Sequence, residues 1–204
     1  MDKIICVGKN YLKHAVELGD AINEEPLYFL KPPSTLFLAQ EHTMNIVTLP
    51  AQGEVHHELE LVFQIGESRG QWMFTHFTLG LDLTLRELQA SLKKAGQPWE
   101  KAKVFKNSAI LGPWIELTPG GTALEAVLNM PFSLKINGSL KQNGLGKDMR
   151  WKPSALLSDI QRWFPVCAGD TLFTGTPEGV GPIRAGDVLQ VTGGPIDYQL
   201  TFQQ

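Results

Sequence analysis

Turn-forming residues cut this chain into short pieces. Its 20 glycines and 13 prolines, in 204 residues, place a breaker at about every sixth position. Glycine adopts backbone angles other residues avoid, and proline removes a backbone donor. Few apolar segments between them last long enough to make a helix. The stretches 4–7, 27–30, 59–65, 134–136, 171–174, 188–191 and 198–202 read as strands. Asn137-Gly138, set between Leu134-Lys135-Ile136 and Ser139-Leu140, marks a hairpin, because a type I′ turn needs positive φ at both central residues.

Helical periodicity appears in three places. Thr84-Leu85-Arg86-Glu87 has the spacing of a capping box, and Leu85, Leu88, Leu92 and Ala95 then share one face before Gly96 and Pro98. A second helix follows Pro153, with Leu156, Leu157, Ile160, Trp163 and Phe164 ahead of Pro165. A third, short one covers residues 10–18, with Gly19 placed to cap it. Many strands, few helices and no regular βα alternation predict a β-rich α+β fold, organised as one domain over residues 1–204.

Composition removes several function classes. A net charge of −3 leaves no basic surplus for a phosphate backbone, so no nucleic-acid partner is expected. No apolar run approaches the roughly 20 residues that span a bilayer, so no membrane partner is expected either. The apolar start is too short for a signal peptide. With only Cys6 and Cys167, a disulfide framework is excluded and a reducing cytoplasmic setting is expected.

The segment from His56 to Ile65 carries the chemistry. Read as a strand, it puts Leu59, Leu61, Phe63 and Ile65 on one face and Glu58, Glu60, Val62 and Gln64 on the other. Two carboxylates ~4 Å apart repel by about 4 kcal/mol at an effective dielectric near 20. Solvent, a basic group, a proton or a metal must offset that. An isolated Glu-x-Glu on a strand is ordinarily solvated, but here the same face turns apolar further along. Asp82 follows in Leu79-Gly80-Leu81-Asp82-Leu83, where on its own it would be a helix-start anion. Brought together, the three would form an all-oxygen site for a hard cation such as Mg²⁺ or Mn²⁺. His56 and His57 suggest a rival iron site, but adjacent strand residues point to opposite faces.

Four ordered motifs carry a resemblance: His57-Glu58-Leu59-Glu60-Leu61; Leu81-Asp82-Leu83-Thr84-Leu85-Arg86; Gly96-Gln97-Pro98-Trp99-Glu100-Lys101-Ala102-Lys103; and Thr174-Gly175-Thr176-Pro177-Glu178-Gly179-Val180-Gly181-Pro182. Together they resemble the fumarylacetoacetate hydrolase family, in particular its short members acting on acylpyruvates and oxaloacetate. Gly8-Lys9-Asn10-Tyr11 with His14, and Phe29-Leu30-Lys31-Pro32, extend the match over nearly the whole chain, while residues 40–55 depart from the family pattern. The resemblance implies a mixed β-sandwich-like roll, usually a homodimer, with the metal on Glu58, Glu60 and Asp82. It also implies that Arg86, Gln89, Lys103 and Thr176 face the substrate and that His14 and Glu17 sit on a mobile lid.

The residues themselves allow those roles. His14 and Glu17, three apart on a helix, make a dyad in which Glu17 sets the tautomer of a proton-moving His14. Lys103, turned inward, is a point charge for a carboxylate or a developing enolate. Arg86 can clamp a carboxylate with two parallel bonds, Gln89 shares its helix side, and Lys31 ranks below them as a carboxylate binder. The loop 175–181 lacks a Walker lysine, so its glycines suit close backbone approach, with Thr176 offering a hydroxyl and an N–H. The expected activity is divalent-metal chemistry on a small 2-oxo acid or dicarboxylate, through a stabilised enolate. Acylpyruvate hydrolysis, oxaloacetate decarboxylation and keto–enol tautomerisation all pass that way. The alternatives are a diene-dioate isomerase or decarboxylase of aromatic-acid breakdown, and a non-catalytic binding module on the same scaffold.

Overall fold

A computed structural model describes residues 1–17, 24–117 and 123–204, with the side chains of residues 14–16 outside that description. Its architecture is β-rich α+β, as the punctuation requires. The largest sheet runs Leu27–Lys31, Ile4–Gly8, Thr171–Phe173, Leu59–Ser68, Gln71–Asp82, Ala109–Leu111 and Leu36–Leu38, with Ile115–Glu116 also paired to Gln71–Asp82. Ser139–Leu145, Pro131–Ile136, Val188–Gly193, Ile196–Gln203 and Met44–Thr48 form a second sheet, and a small third holds Gly181–Ile183, Val55–His57 and Thr84–Leu85.

The spine is the antiparallel pair Leu59–Ser68 and Gln71–Asp82. It turns at Arg69-Gly70, and the second sheet turns at Asn137-Gly138; all four residues have positive φ, as I′ turns demand. Leu59, Leu61, Phe63 and Ile65 bury one face of the spine against Leu134, Val191, Tyr198 and Leu200 of the second sheet. The opposite face is covered too: Val62 packs with Ile4, Cys6, Ala109, Leu111 and Phe173. A strand buried on both faces has no solvated side on which to leave Glu60, which is 2 % exposed.

Several local readings need correction. The segment 56–65 is not one strand: Val55–His57 belongs to the small sheet, and Leu59–Ser68 begins after a break at Glu58. Thr84 does not cap a helix. It lies in a two-residue strand, and the helix Arg86–Lys94 starts after Leu85 with no side-chain cap. Leu85 and Leu92 are buried, as expected, but Leu88 and Ala95 are exposed and the second buried helix residue is Gln89. In Pro153–Trp163 the buried residues include Leu156, Leu157 and Ile160, while Trp163 is exposed. The first helix spans Leu12–Glu17; Leu18 and Gly19 lie outside the described residues. The divergent stretch 40–55 supplies Met44–Thr48, which runs parallel to Ile196–Gln203 at the edge of the second sheet.

Candidate metal centre and active site

Glu58 occupies the break where the chain leaves the small sheet and enters the large one. Asp82 ends the neighbouring strand, and its N–H donates to the Glu58 carbonyl at 2.9 Å. Register then pairs Leu59 with Leu81 and Glu60 with Gly80. These backbone constraints bring one carboxylate oxygen each from Glu58, Glu60 and Asp82 within 4.8 Å of one another, all three residues being buried. Opposite oxygens around an octahedral Mg²⁺ lie about 4.2 Å apart, so the cluster has the dimensions and the hard donors of a divalent-cation site.

Lys103, Lys31 and Arg86 are among the cations that contact the cluster. The Lys103 ammonium donates to Glu58 Oε2 at 2.8 Å, Asp82 Oδ2 at 2.6 Å and Thr84 Oγ1 at 2.7 Å, above the Phe29 ring. Its pKa reflects a contest: burial pulls it down, but the Asp82 and Glu58 charges win and hold it above the usual lysine range. Lys31, fully buried, lies 2.5 Å from Asp82 Oδ1 and donates to the carbonyls of Ser108 at 2.6 Å and Leu83 at 3.2 Å. Arg86 pairs through Nη2 with Glu58 and through Nη1 with Gln89 Oε1 at 2.7 Å, and its buried Nε has no partner among the described residues.

Glu60 is different. Among the described residues it makes no ion pair, and its Oε2 accepts the Gly175 N–H at 2.6 Å. Burial, then the Asp82 and Glu58 charges, push its carboxyl well above the ordinary range, with the Gly175 amide and Lys103 pulling back. A buried carboxylate in that position calls for a further positive charge. Gly175 itself is required there: φ is +96°, and a Cβ would sit 2.8 Å from Asn10 Cβ and 3.1 Å from the Val7 carbonyl.

A buried glutamine ties the loop to the metal strand, a residue the sequence patterns gave no reason to single out. Gln142 Oε1 accepts the Leu59 N–H at 3.0 Å and lies 2.8 Å from His57 Nδ1, while Nε2 donates to Thr176 Oγ1 at 2.8 Å and to the Pro177 carbonyl at 3.0 Å. The Thr176 hydroxyl spends its own proton on the Leu59 carbonyl at 2.8 Å. Of the two donors expected of Thr176, only the backbone N–H stays available to a ligand. Burial lowers the His57 pKa to about 4, so it is neutral at physiological pH.

A narrow cavity of about 30 Å³ touches the three carboxylates together with Lys9, Arg86, Gln89, Lys93, Trp99, Lys103 and Thr176. A second one, about 490 Å³, opens beyond Tyr11, Pro177 and Glu178. Glu17 accepts the Gly179 N–H at 3.1 and 3.2 Å, which docks the first helix on the 175–181 loop. The His14 side chain lies outside the described residues, so the dyad is placed only through Glu17.

Residues 3–199 match the family described as fumarylacetoacetate (FAA) hydrolase, C-terminal. The chain is 41 % identical over 200 residues to the oxaloacetate tautomerase YcgM of Escherichia coli, covering 94 % of this chain and 88 % of that one. It is 39 % identical over 194 residues to a mitochondrial oxaloacetate tautomerase of Arabidopsis thaliana, covering 92 % and 84 %. It is also similar to the fumarylpyruvate hydrolase of Pseudomonas aeruginosa solved with Mn²⁺ and pyruvate, at a TM-score of 0.90 and 28 % identity over 99 % of this chain and 89 % of that one. The chain belongs to the fumarylacetoacetate hydrolase family.

It is an enzyme of that family. The fumarylacetoacetate hydrolase fold brings Glu58, Glu60, Asp82, Arg86, Gln89, Lys103 and Thr176 to one cavity. It sets Lys31 behind Asp82, where the ammonium is engaged by protein oxygens and stays off the cavity wall. Lys9 and Lys93 join the cavity without having been expected there. For Lys93 the signal was legible: Arg86, Gln89 and Lys93 fall at i, i+3 and i+7 on one helix face.

Proposed function

We propose that this enzyme acts on small 2-oxo acids, with keto–enol tautomerisation of oxaloacetate as its main reaction, using Mg²⁺ or Mn²⁺ held by Glu58, Glu60 and Asp82. The observation that carries the reading is the buried carboxylate trio, with Glu60 lacking an ion-pair partner among the described residues. The names of the relatives and the Mn²⁺ of the Pseudomonas enzyme support it. A divalent cation there would supply Lewis acidity, stabilising the negative charge that develops on the 2-oxo oxygen.

The chain's own residues would do the rest. The Arg86 guanidinium and the Thr176 N–H hold the substrate carboxylate, with Gln89 fixing the guanidinium. Lys103 stays protonated beside Glu58 and Asp82 and stabilises charge as it forms. Lys31 fixes Asp82. On the lid, His14, oriented by Glu17, takes a proton from C3 and returns it to carbon or passes it to the enol oxygen. Closing the lid helix on the 175–181 loop excludes water, which favours tautomerisation and decarboxylation over hydrolysis. We further propose that residues 1–204 work as one catalytic domain, assembled as a homodimer in the cytoplasm.

The test is turnover of oxaloacetate and acetylpyruvate before and after EDTA, with Mg²⁺ or Mn²⁺ restored. EDTA should abolish activity, either cation should restore it, and Glu60→Ala should lose roughly a hundredfold or more, because several kcal/mol of charge stabilisation go with the cation. Full activity in EDTA or in Glu60→Ala overturns the proposal.

A further inference from the structure

We infer that Gln142 is a positioning residue for both halves of the active site. One end of its amide holds the chain on either side of Glu58, and the other end sets Thr176 so that its N–H faces the ligand. The inference rests on the cation and 2-oxo acid reading above.

The donors and acceptors leave one arrangement of the bonds. The Leu59 N–H can only donate and the Pro177 carbonyl can only accept, so Gln142 turns Oε1 to the first and Nε2 to the second. His57 Nδ1 lies 2.8 Å from Oε1 and must carry a proton, which fixes the donor nitrogen of the ring. Thr176 Oγ1 accepts from Nε2, so its own proton goes to the Leu59 carbonyl. These bonds close a ring: Leu59 N–H to Gln142, Gln142 to Thr176, and Thr176 back to the Leu59 carbonyl. Leu59 is thereby gripped at both ends, and it stands between Glu58 and Glu60. Gln142, His57 and Thr176 are all buried, so water does not compete for the bonds.

The hairpin is bent to deliver this side chain. In Ser139–Leu145 the register shifts so that Leu134 pairs with Gln142 and Lys135 with Leu140, which leaves Lys141 as an extra residue. Without that bulge Leu140 and Gln142 would share a face of the strand. With it the leucine is 56 % exposed and the glutamine is buried, the reverse of what apolar burial favours. The bulged residue also meets the loop: a Cβ on Gly179 would sit 2.2 Å from the Lys141 carbonyl. Core packing supplies no reason to bury Gln142 and expose Leu140; the grip on Leu59 and Thr176 does.

The experiment measures Mn²⁺ affinity by titration of the metal-depleted full-length enzyme, and kcat and KM for oxaloacetate once it is loaded. Gln142→Met removes both ends of the amide. It should weaken Mn²⁺ binding about tenfold or more and raise KM about tenfold, with kcat held within a few-fold. Thr176→Val keeps the backbone N–H but breaks the ring on the substrate side, so KM should rise similarly while Mn²⁺ affinity stays within about threefold. The double variant should have the KM of Gln142→Met, because both changes break the same connection. A loss confined to Tm, with KM and Mn²⁺ affinity unchanged in Gln142→Met, would overturn the inference, as would KM effects that multiply in the double variant. Should Gln142→Met fail to fold, an unchanged KM in Thr176→Val overturns it and a raised one supports it. In all these outcomes EDTA-sensitive turnover of the unmodified enzyme leaves the underlying reading intact. Turnover insensitive to EDTA, with no Mn²⁺ bound, would sink both.

Discussion

Lys103 is the residue on which the site's electrostatics turn. Its three bonds to Glu58, Asp82 and Thr84 join parts of the chain that are distant in sequence. Removing a buried cation leaves two carboxylates without it, and breaking a buried pair this way costs about 3–5 kcal/mol. Lys103→Met should therefore lower Tm markedly in EDTA, and Mg²⁺ should recover part of the loss by supplying the missing charge. A Tm that falls equally with and without Mg²⁺ would show that the carboxylates do not share a cation site. Thr84 shows how a residue's use depends on its surroundings: a hydroxyl spaced to cap a helix instead accepts from Lys103 and donates to the Asp82 carbonyl.

The Gln142 side chain, the Thr176 hydroxyl and the Gly175 backbone all set the 175–181 loop against the metal strand. Gly175 combines a positive φ with close contacts, whereas Gly186 has φ of +89° and no atom within 4 Å of an added Cβ. The pair separates backbone strain from steric contact. Gly186→Ala should cost only the conformational penalty, about 1 kcal/mol, and Gly175→Ala should cost about 2 kcal/mol or more. Urea unfolding of both variants measures this. Gly175→Ala should in addition weaken Mg²⁺ binding, because the amide that holds Glu60 must move. Similar unfolding free energies for the two variants would show that the loop yields without consequence.

Across the whole molecule, the N-terminus is clasped to the turn before Thr171–Phe173 by one buried carboxylate. Asp170 accepts the N–H groups of Asp2, Lys3 and Cys167 and pairs with the Lys3 ammonium at 2.7 Å. Burial alone would raise its pKa, but the Lys3 bond and the three amides outweigh it, so the folded value lies below 3.8. For Lys3 the same bonds overcome burial and hold the ammonium above 10.5. The signs follow. The aspartate's contribution is complete above about pH 4 and fades as pH falls through the depressed folded value; the lysine's is complete below about pH 10 and fades as pH rises through the raised one. Asp170→Asn should thus be less stable than the unmodified protein by an amount that is constant near neutrality and shrinks below about pH 3.8, read from Tm against pH. A difference that does not change with pH would mean that the clasp acts through shape alone.

Fold class and family were both present in the sequence, because they rest on local chemistry. Glycine and proline spacing, alternation in 59–65 and the Asn137-Gly138 turn act over a few residues, and the ordered motifs need no three-dimensional context. The site was legible as a set of residues but not as an arrangement. Glu-x-Glu spacing cannot say whether a strand face is covered, and the break at Glu58, the burial of Lys103 and the saturation of the Thr176 hydroxyl depend on partners up to 117 positions away. Gln142 and Lys9 stayed hidden for the same reason: one lies in an ordinary hairpin strand and the other in a motif with no visible task. What the sequence determined by itself was which carboxylates, cations and turns the chain carries. Only the tertiary structure decided which of them meet, because hydrogen bonding and burial between distant segments leave no period in the sequence to read.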